Sequence, residues 1–119
     1  IDNNMEEDIF RLLCNCLEKD HAFYRKAYEI QGQNSFEELM SDYIYHLFLQ
    51  ILSKYPLKSP DKLAILTIEA IARFYTFGLA DSLKYWICQD APFSGEEVHA
   101  AYNYIIRNSV LDLLEYPLR

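Results

Sequence analysis

One segment carries three side chains of the types that bind metal ions or transfer protons. Glu38, Asp42 and His46 are spaced four residues apart, which places all three on one face of an α-helix. Two carboxylates and an imidazole on one face suit a metal site or an acid–base pair. The opposite face of the same segment is apolar, so we interpret the three residues as part of a solvated surface.

A second pair of charges interrupts a strongly apolar segment. Glu69 and Arg73 are four residues apart, the spacing of a stabilising ion pair on a helix. Two interpretations stay open. We favour an ion pair on a narrow polar stripe, and the alternative is a polar anchor inside a ligand pocket.

The cysteines and the other histidines form no recognisable reactive set. Cys14 and Cys16 would lie about 200° apart on a helix, and with Cys88 they are odd in number. We therefore expect reduced thiols that pack as small apolar groups, and no zinc site. His21 is predicted to order a helix start, and His99 to lie on a polar stripe at the surface or at an interface rim.

Enzyme motifs are missing from the sequence. It contains no C-x-x-C, H-E-x-x-H or G-x-S-x-G pattern and no glycine-rich phosphate loop. These patterns supply the metal ligands, nucleophiles and phosphate cradles of many enzymes. We therefore predict neither catalysis nor a cofactor.

The composition describes an acidic, aromatic-rich domain. The 119 residues are 51% apolar and 15% aromatic, with a formal net charge of −7. That charge opposes nucleic-acid binding, which needs clustered lysine and arginine. No apolar stretch reaches the ~18 residues of a membrane helix, so we predict no membrane partner and a cytoplasmic location. Few glycines and prolines and long apolar segments indicate one all-α domain over residues 1–119.

Five helices are predicted from hydrophobic periodicity and helix-end signals. The first runs from about Asn4 to Glu18, with one apolar stripe through Met5, Ile9, Leu12, Leu13, Cys16 and Leu17. The second covers about 20–30. The third begins after Ser35, which has capping-box spacing with Glu38, and continues to about Tyr55.

The last two predicted helices are apolar on two sides. The fourth is predicted from Pro60, with Ser59 as its cap, to about Cys88. Its polar positions fall within about 80° of arc: Lys62, Glu69, Arg73, Thr76 and Lys84. The fifth is predicted from its cap Ser94, with Glu97 in capping-box spacing, to about Glu115. A chain of this size cannot bury both apolar faces of both helices within one domain. We therefore predict a homodimer in which these helices form a four-helix interface. The alternative is that a missing domain covers the same surface.

Two stretches resemble a known family. "GQNSFEEL" and "FYTFGLADSLKYWICQDAPFSGEEVHAAYNYII" are similar to the C-terminal domain of TetR-type transcriptional regulators, in the branch related to regulators of dihydroxyacetone kinase. The resemblance covers about residues 10–114. It is carried by Phe74, Tyr75, Gly78, Trp86, and Ser94 with Glu96 and Glu97.

The resemblance implies both a fold and a mode of action. The fold is a five-helix orthogonal bundle whose last two helices form the dimer interface. Members of the family bind operator DNA through an N-terminal helix-turn-helix domain, and the acidic start, Glu6 to Asp8, does not look like a recognition helix. Because the chain begins at Ile1, we expect a fragment of a longer chain. A ligand would change the spacing of the two DNA-binding domains by a population shift in a bacterial repressor.

Candidate site residues follow from the aromatic pattern and the interface. A small lipophilic or aromatic effector is predicted to contact Phe10, Cys14, Phe48, Phe74 and Phe77. A filled core is the alternative for each of these residues. The dimer interface is predicted to include Tyr75, Gly78, Leu79, Trp86, Tyr102, Ile106 and Leu113. The alternative function is a helical protein–protein interaction module without an effector pocket.

Overall fold

The fold consists of five α-helices in a computed structural model that describes residues 4–58 and 63–115. They are α1 (Asn4–Lys19), α2 (His21–Tyr28), α3 (Phe36–Leu52), α4 (Ile68–Ile87) and α5 (Gly95–Arg107). A short 3₁₀ turn, Val110–Leu113, follows α5. No strand occurs in these two ranges, which confirms the predicted all-α fold with five helices. None of the described helices is both long and apolar enough to cross a membrane.

The serine caps predicted for α3 and α5 are confirmed. Ser35 Oγ accepts a hydrogen bond from the Glu38 amide at 3.2 Å, and Ser94 Oγ accepts one from the Glu97 amide at the same distance. Glu38 returns its side chain to the amide of Asn34, at 2.8 Å, one residue before the cap. Each cap therefore satisfies an amide that the first helical turn leaves free.

The predicted start of α4 is wrong. α4 begins at Ile68, and the N-cap is Thr67, whose Oγ1 accepts from the Ala70 amide at 3.1 Å. Residues 63–67 form no helix, so α4 is not continuous with the "SPDK" stretch. The predicted cap Ser59, Pro60 and Lys62 lie outside the described residues. Thr67 adopts an extended conformation and caps the helix locally, a start that was not predicted from the sequence.

The third and fifth helices are shorter than predicted. α3 ends at Leu52, not Tyr55, and Ser53 donates its hydroxyl to the Leu49 carbonyl. α5 ends at Arg107 because Asn108 is extended and donates its side-chain amide to the Tyr104 carbonyl. The segment after it is a separate 3₁₀ turn with its own reciprocal capping box. Polar side chains that bond to nearby backbone compete with continued helix, which explains both ends.

The helices form two antiparallel pairs. α3 packs along α4. At one end of this pair Lys84 of α4 forms an ion pair with Glu37 of α3. Toward the other end, the Arg73 guanidinium of α4 lies over the Tyr45 ring of α3. The hydrogen bond to Glu37 raises the pKa of Lys84. α1 packs along α5, and α2 contacts α1, α3 and α4. The α3–α4 pair and the α1–α5 pair are therefore the two layers of the domain.

The buried face of α1 differs from the predicted stripe. Met5, Leu12 and Cys16 are exposed, whereas the core side of α1 consists of Glu6, Phe10, Cys14 and Leu17. Gly95 at the start of α5 explains this choice, because its Cα lies close to the backbone of Cys14 and Asn15. The small Cys14 side chain suits that close approach better than the bulkier leucine two positions earlier.

The inner face of α4 also corrects a prediction. It consists of Ala72, Thr76, Leu79, Leu83 and Ile87, all buried. Thr76, predicted on the polar stripe, is fully buried, and among residues 4–58 and 63–115 its hydroxyl has no hydrogen-bond partner. On the opposite face, Phe74 is 73% exposed and Phe77 is 64% exposed. α4 thus has one apolar face inside the domain and a second one at the surface.

Candidate functional site

A cavity of about 250 Å³ lies between the two helix pairs. All four long helices contribute to its wall, so it is formed by the packing of the whole domain. Its lining residues are Glu6, Glu7, Phe10, Ile44, Leu47, Phe48, Ile51, Leu52, Tyr75, Leu79, Asn103, Ile106 and Arg107. Small-molecule sites are typically concave and apolar, with a few polar groups that orient the ligand, and this cavity has that character.

Aromatic rings form part of the cavity wall. Phe10 from α1 and Phe48 from α3 are both buried, and Tyr75 from α4 stacks on Phe48 with ring centroids 5.4 Å apart. Each ring is held by the helix packing described above, so the wall is formed without a ligand. Such a surface can contact a flat or branched apolar group over a large area.

The polar end of the cavity lies where α1 begins and α5 ends. Glu7 accepts from Arg107 Nη2 at 3.0 Å and from Asn103 Nδ2 at 3.3 Å. Arg107 Nε in turn donates to Asn103 Oδ1 at 3.3 Å. These three side chains therefore hydrogen-bond to one another and fix the geometry of the rim.

A further carboxylate of the cavity wall is more deeply buried. Glu6 is 6% exposed and pairs with Lys54 Nζ at 2.7 Å. Lys54 comes from the segment after α3 and is not part of the cavity lining. A buried carboxylate is costly unless it is paired, so Lys54 compensates Glu6 from outside the cavity.

The structure divides the predicted ligand-binding residues into three groups. Phe10 and Phe48 line the cavity. Cys14 is fully buried one helical turn from Phe10, and desolvation, reinforced by the charge of Glu96, raises the pKa of its thiol to about 12. Phe74 and Phe77 lie on the outer face of α4 and do not line this cavity. The predicted convergence of all five residues on one pocket is therefore not found.

A smaller cavity, of about 60 Å³, borders Phe77. Tyr28 also lines it, and the buried Tyr28 hydroxyl has no hydrogen-bond partner in the described part of the chain. Burial, reinforced by the nearby charge of Glu37, raises the pKa of Tyr28. This space is too small for an effector and suits ordered water.

The predicted interface residues lie in different parts of the fold. Tyr75, Leu79 and Ile106 line the cavity between the helix pairs. Trp86 donates its indole N–H to the Tyr102 hydroxyl at 2.9 Å and so connects α4 to α5. No atom of the described residues lies within 4 Å of the position that a Cβ of Gly78 would occupy, and Gly78 is on the exposed face of α4. Leu113 is outside α5, in the 3₁₀ turn.

Of the predictions about the other charged side chains, one is confirmed and one is wrong. Glu38, Asp42 and His46 are exposed, as predicted, and no group of three potential metal ligands occurs in the described ranges. Arg73 lies over the Tyr45 ring at 3.8 Å and, in this part of the chain, forms no ion pair with Glu69. That ion-pair prediction is wrong.

The two histidines also differ from each other. His21 Nε2 lies 2.6 Å from the Ile87 carbonyl and thereby joins the start of α2 to the end of α4. His99 is buried against Phe10, with ring centroids 5.2 Å apart, so the prediction of a surface or rim position is wrong. It is buried because the α5 face that carries it turns toward α1.

Sequence reasoning missed the polar end of the cavity. In the sequence Glu6 and Glu7 belong to the acidic start of the first helix, whereas Asn103 and Arg107 lie far along the chain in the last one. The signal that joins them is the antiparallel pairing of α1 with α5, which brings the beginning of one helix to the end of the other. Helical periodicity alone contains no information about that pairing.

Comparison with known proteins matched the chain to one sequence family. Residues 4–108 match the TetR-type family described as "Transcriptional regulator C-terminal region". The matched range contains all five helices, the cavity lining and the caps of α3 and α5. No curated protein and no solved structure matches the chain.

Proposed function

Because the chain belongs to the family of TetR-type transcriptional regulator C-terminal regions, we propose that it senses an effector and dimerises in a bacterial, cytoplasmic repressor. The observation that carries this proposal is the cavity of about 250 Å³ between the two helix pairs. We place the protein in the branch related to regulators of dihydroxyacetone kinase, as its sequence implies. Operator DNA would be bound by N-terminal domains outside the present sequence.

The position of the cavity suggests how a ligand would act. A molecule in it would contact Phe10 of α1 and Ile106 of α5 on one side, and Phe48 and Tyr75 of the α3–α4 pair on the other. Filling the space would favour one separation of the two pairs. A ligand shifts a conformational equilibrium by its difference in affinity for the two states, and here the states would differ in that separation. Since α1 begins the domain, its movement would change the spacing of the DNA-binding domains.

Dimerisation is proposed from the outer face of α4. Phe74, Phe77, Gly78 and Tyr85 form an exposed stripe along it. Phe74, Phe77 and Tyr85 are 73%, 64% and 58% exposed, so the stripe offers apolar surface for a partner to cover. We therefore move the proposed interface from the residues facing the cavity to this stripe, centred on Gly78.

The second candidate function, a helical interaction module, is favoured by the same exposed stripe. A different protein could cover Phe74 and Phe77 in place of a second copy of this chain. The two proposals differ in what the protein does in isolation. Sedimentation at micromolar concentration should give a dimer if the stripe binds itself, and a stable monomer would overturn the dimer.

A neutral probe tests the cavity. We expect 2-phenylethanol to bind the wild-type protein in calorimetric titration and to raise its melting temperature. Ile106→Trp should abolish this binding, because the indole would occupy the cavity. Ile105→Trp is the matched control, since Ile105 is exposed and does not line the cavity. Equal binding by both variants would refute the assignment of the cavity as the effector site.

A further inference from the structure

The buried carboxylate of Glu6 gives the cavity a chemical preference. Glu6 lies on the same side of α1 as Phe10, one helical turn away, and both residues line the cavity. Glu6 is therefore placed where a ligand that rests on the Phe10 ring can reach it. The partner that compensates Glu6 within the protein, Lys54, approaches from outside the lining.

The charges around the cavity are arranged asymmetrically. In both ion pairs the carboxylate is the more buried member: Glu6 is 6% and Lys54 28% exposed, and Glu7 is 27% and Arg107 56% exposed. Each carboxylate is thus more enclosed than its cation, although Arg107 also lines the rim of the cavity. A ligand with a donating, positively charged group complements this arrangement, and an anion is repelled by it and by the net charge of −7.

The aromatic wall favours the same ligand. Ring faces attract cations through their quadrupole, and the attraction increases when water is excluded. Phe10, Phe48 and Tyr75 line the cavity, so a cation bound there lies close to three aromatic rings. Aromatic rings together with one buried carboxylate are a suitable environment for an ammonium group attached to an apolar body.

We propose that the effector of this cavity is a small lipophilic amine. Its ammonium group donates a hydrogen bond to Glu6, in competition with Lys54, and its apolar body contacts Phe10 and Phe48. The cavity volume of about 250 Å³ lies just below the usual range for ligand sites, which limits the body to about the size of one aromatic ring. This inference rests on the proposed effector-sensing function and names the chemical class of its ligand.

Three probes of matched size separate charge from shape. Titration calorimetry with 2-phenylethylamine, 2-phenylethanol and phenylacetate should show the amine binding about tenfold more tightly than the alcohol, because hydrogen bonds to charged groups are the stronger ones. Phenylacetate should bind most weakly. Glu6→Gln should bring the amine to within about threefold of the alcohol, because the charged acceptor is lost.

Two further variants control the experiment. Asp8→Asn removes an exposed carboxylate of the same helix that does not line the cavity, and it should keep the full preference for the amine. Lys54→Met removes the competing ammonium group and should strengthen amine binding severalfold without changing alcohol binding. Lys54→Met also tests the proposal if Glu6→Gln does not fold.

The outcomes distinguish this proposal from the one on which it rests. Equal binding of amine and alcohol, or tightest binding of phenylacetate, overturns the amine assignment and leaves the effector cavity standing. A preference for the amine that survives Glu6→Gln also overturns it. If none of the three probes binds the wild-type protein at millimolar concentration, both the effector cavity and the amine assignment are refuted.

Discussion

Replacing Gly95 with alanine tests the packing that sets the orientation of α1. A Cβ at position 95 would lie 2.7 Å from the Cys14 carbonyl oxygen and 2.9 Å from the Asn15 Cα. Both are backbone atoms and cannot move without shifting α1. The same displacement would stretch the hydrogen bond from the Gly95 amide to Glu18 Oε1, now 2.8 Å. Gly95→Ala should therefore separate the ends of α1 and α5 that meet here.

The magnitude follows from two opposing contributions. Forcing an extra methyl group into a well-packed site typically destabilises by about 1–3 kcal/mol. Exchanging glycine for alanine in a helix gains up to ~1 kcal/mol, and less at the first helical position, where Gly95 lies. We expect a net loss of about 1–2 kcal/mol in the free energy of unfolding.

Gly78→Ala is the matched control within the same molecule. None of the residues that the structure describes lies within 4 Å of its Cβ position, and Gly78 is in the interior of α4. At concentrations where the chain is monomeric, this substitution should stabilise by about 1 kcal/mol through helix propensity. In the proposed dimer the methyl group would lie between two copies of α4, so the dimer should dissociate more readily in sedimentation experiments.

Urea unfolding followed by far-ultraviolet circular dichroism measures both variants. The midpoint should decrease for Gly95→Ala and increase for Gly78→Ala, with unchanged denaturant dependence. A Gly95→Ala protein as stable as the wild type would show that α1 and α5 do not approach this closely. The inferred reason for the burial of Cys14 in place of Leu12 would then be wrong as well.

Three more substitutions have expected outcomes. Thr67→Ala should lower the free energy of unfolding by about 1 kcal/mol in urea titration, because the N-cap of α4 is lost, and an unchanged midpoint would contradict the start of α4 at Ile68. Tyr102→Phe removes the acceptor of the Trp86 indole and should destabilise by about 0.5–1.5 kcal/mol in the same assay, with the tryptophan emission maximum shifted. In the folded protein Ellman's reagent should label two thiols and spare Cys14, and labelling of all three would contradict its burial. Because burial raises the pKa of Cys14 from 9.0 to about 12, the unfolded chain loses this proton first, so stability should fall as pH rises from about 9 to 12. In Cys14→Ala the free energy of unfolding should fall less than in the wild type over the same pH range, because this thiol is absent.

Local signals in the sequence were sufficient for the number and order of the helices. The Ser35 and Ser94 caps each depend on an amide three residues away, and the structure forms both hydrogen bonds. Thr67 acts in the same local way, but "SPDK" offered a stronger competing signal a few residues earlier. Helix ends were less predictable because Asn108 and Ser53 end their helices with hydrogen bonds to backbone carbonyls, and the same side chains are tolerated inside helices.

Which face of each helix is buried depended on contacts between distant residues. On α1 two stripes have helical spacing, and the more apolar one, through Met5 and Leu12, is exposed. The Cys14 stripe is buried because the glycine that begins α5 lies against it. His99 is buried for the same reason, since it faces α1 and rests on Phe10. None of these choices can be made from one helix at a time.

The cavity and the exposed stripe share a single helix, α4. Tyr75 and Leu79 face the cavity, whereas Phe74 and Gly78, one residue earlier in each case, face outward. Sequence periodicity detects both faces but cannot say which one is internal. The two surfaces are about 100° apart around the helix axis. A ligand that rotates or shifts α4 from the inside would therefore move the outer stripe directly, so the helix itself is sufficient to couple effector binding to the proposed dimer.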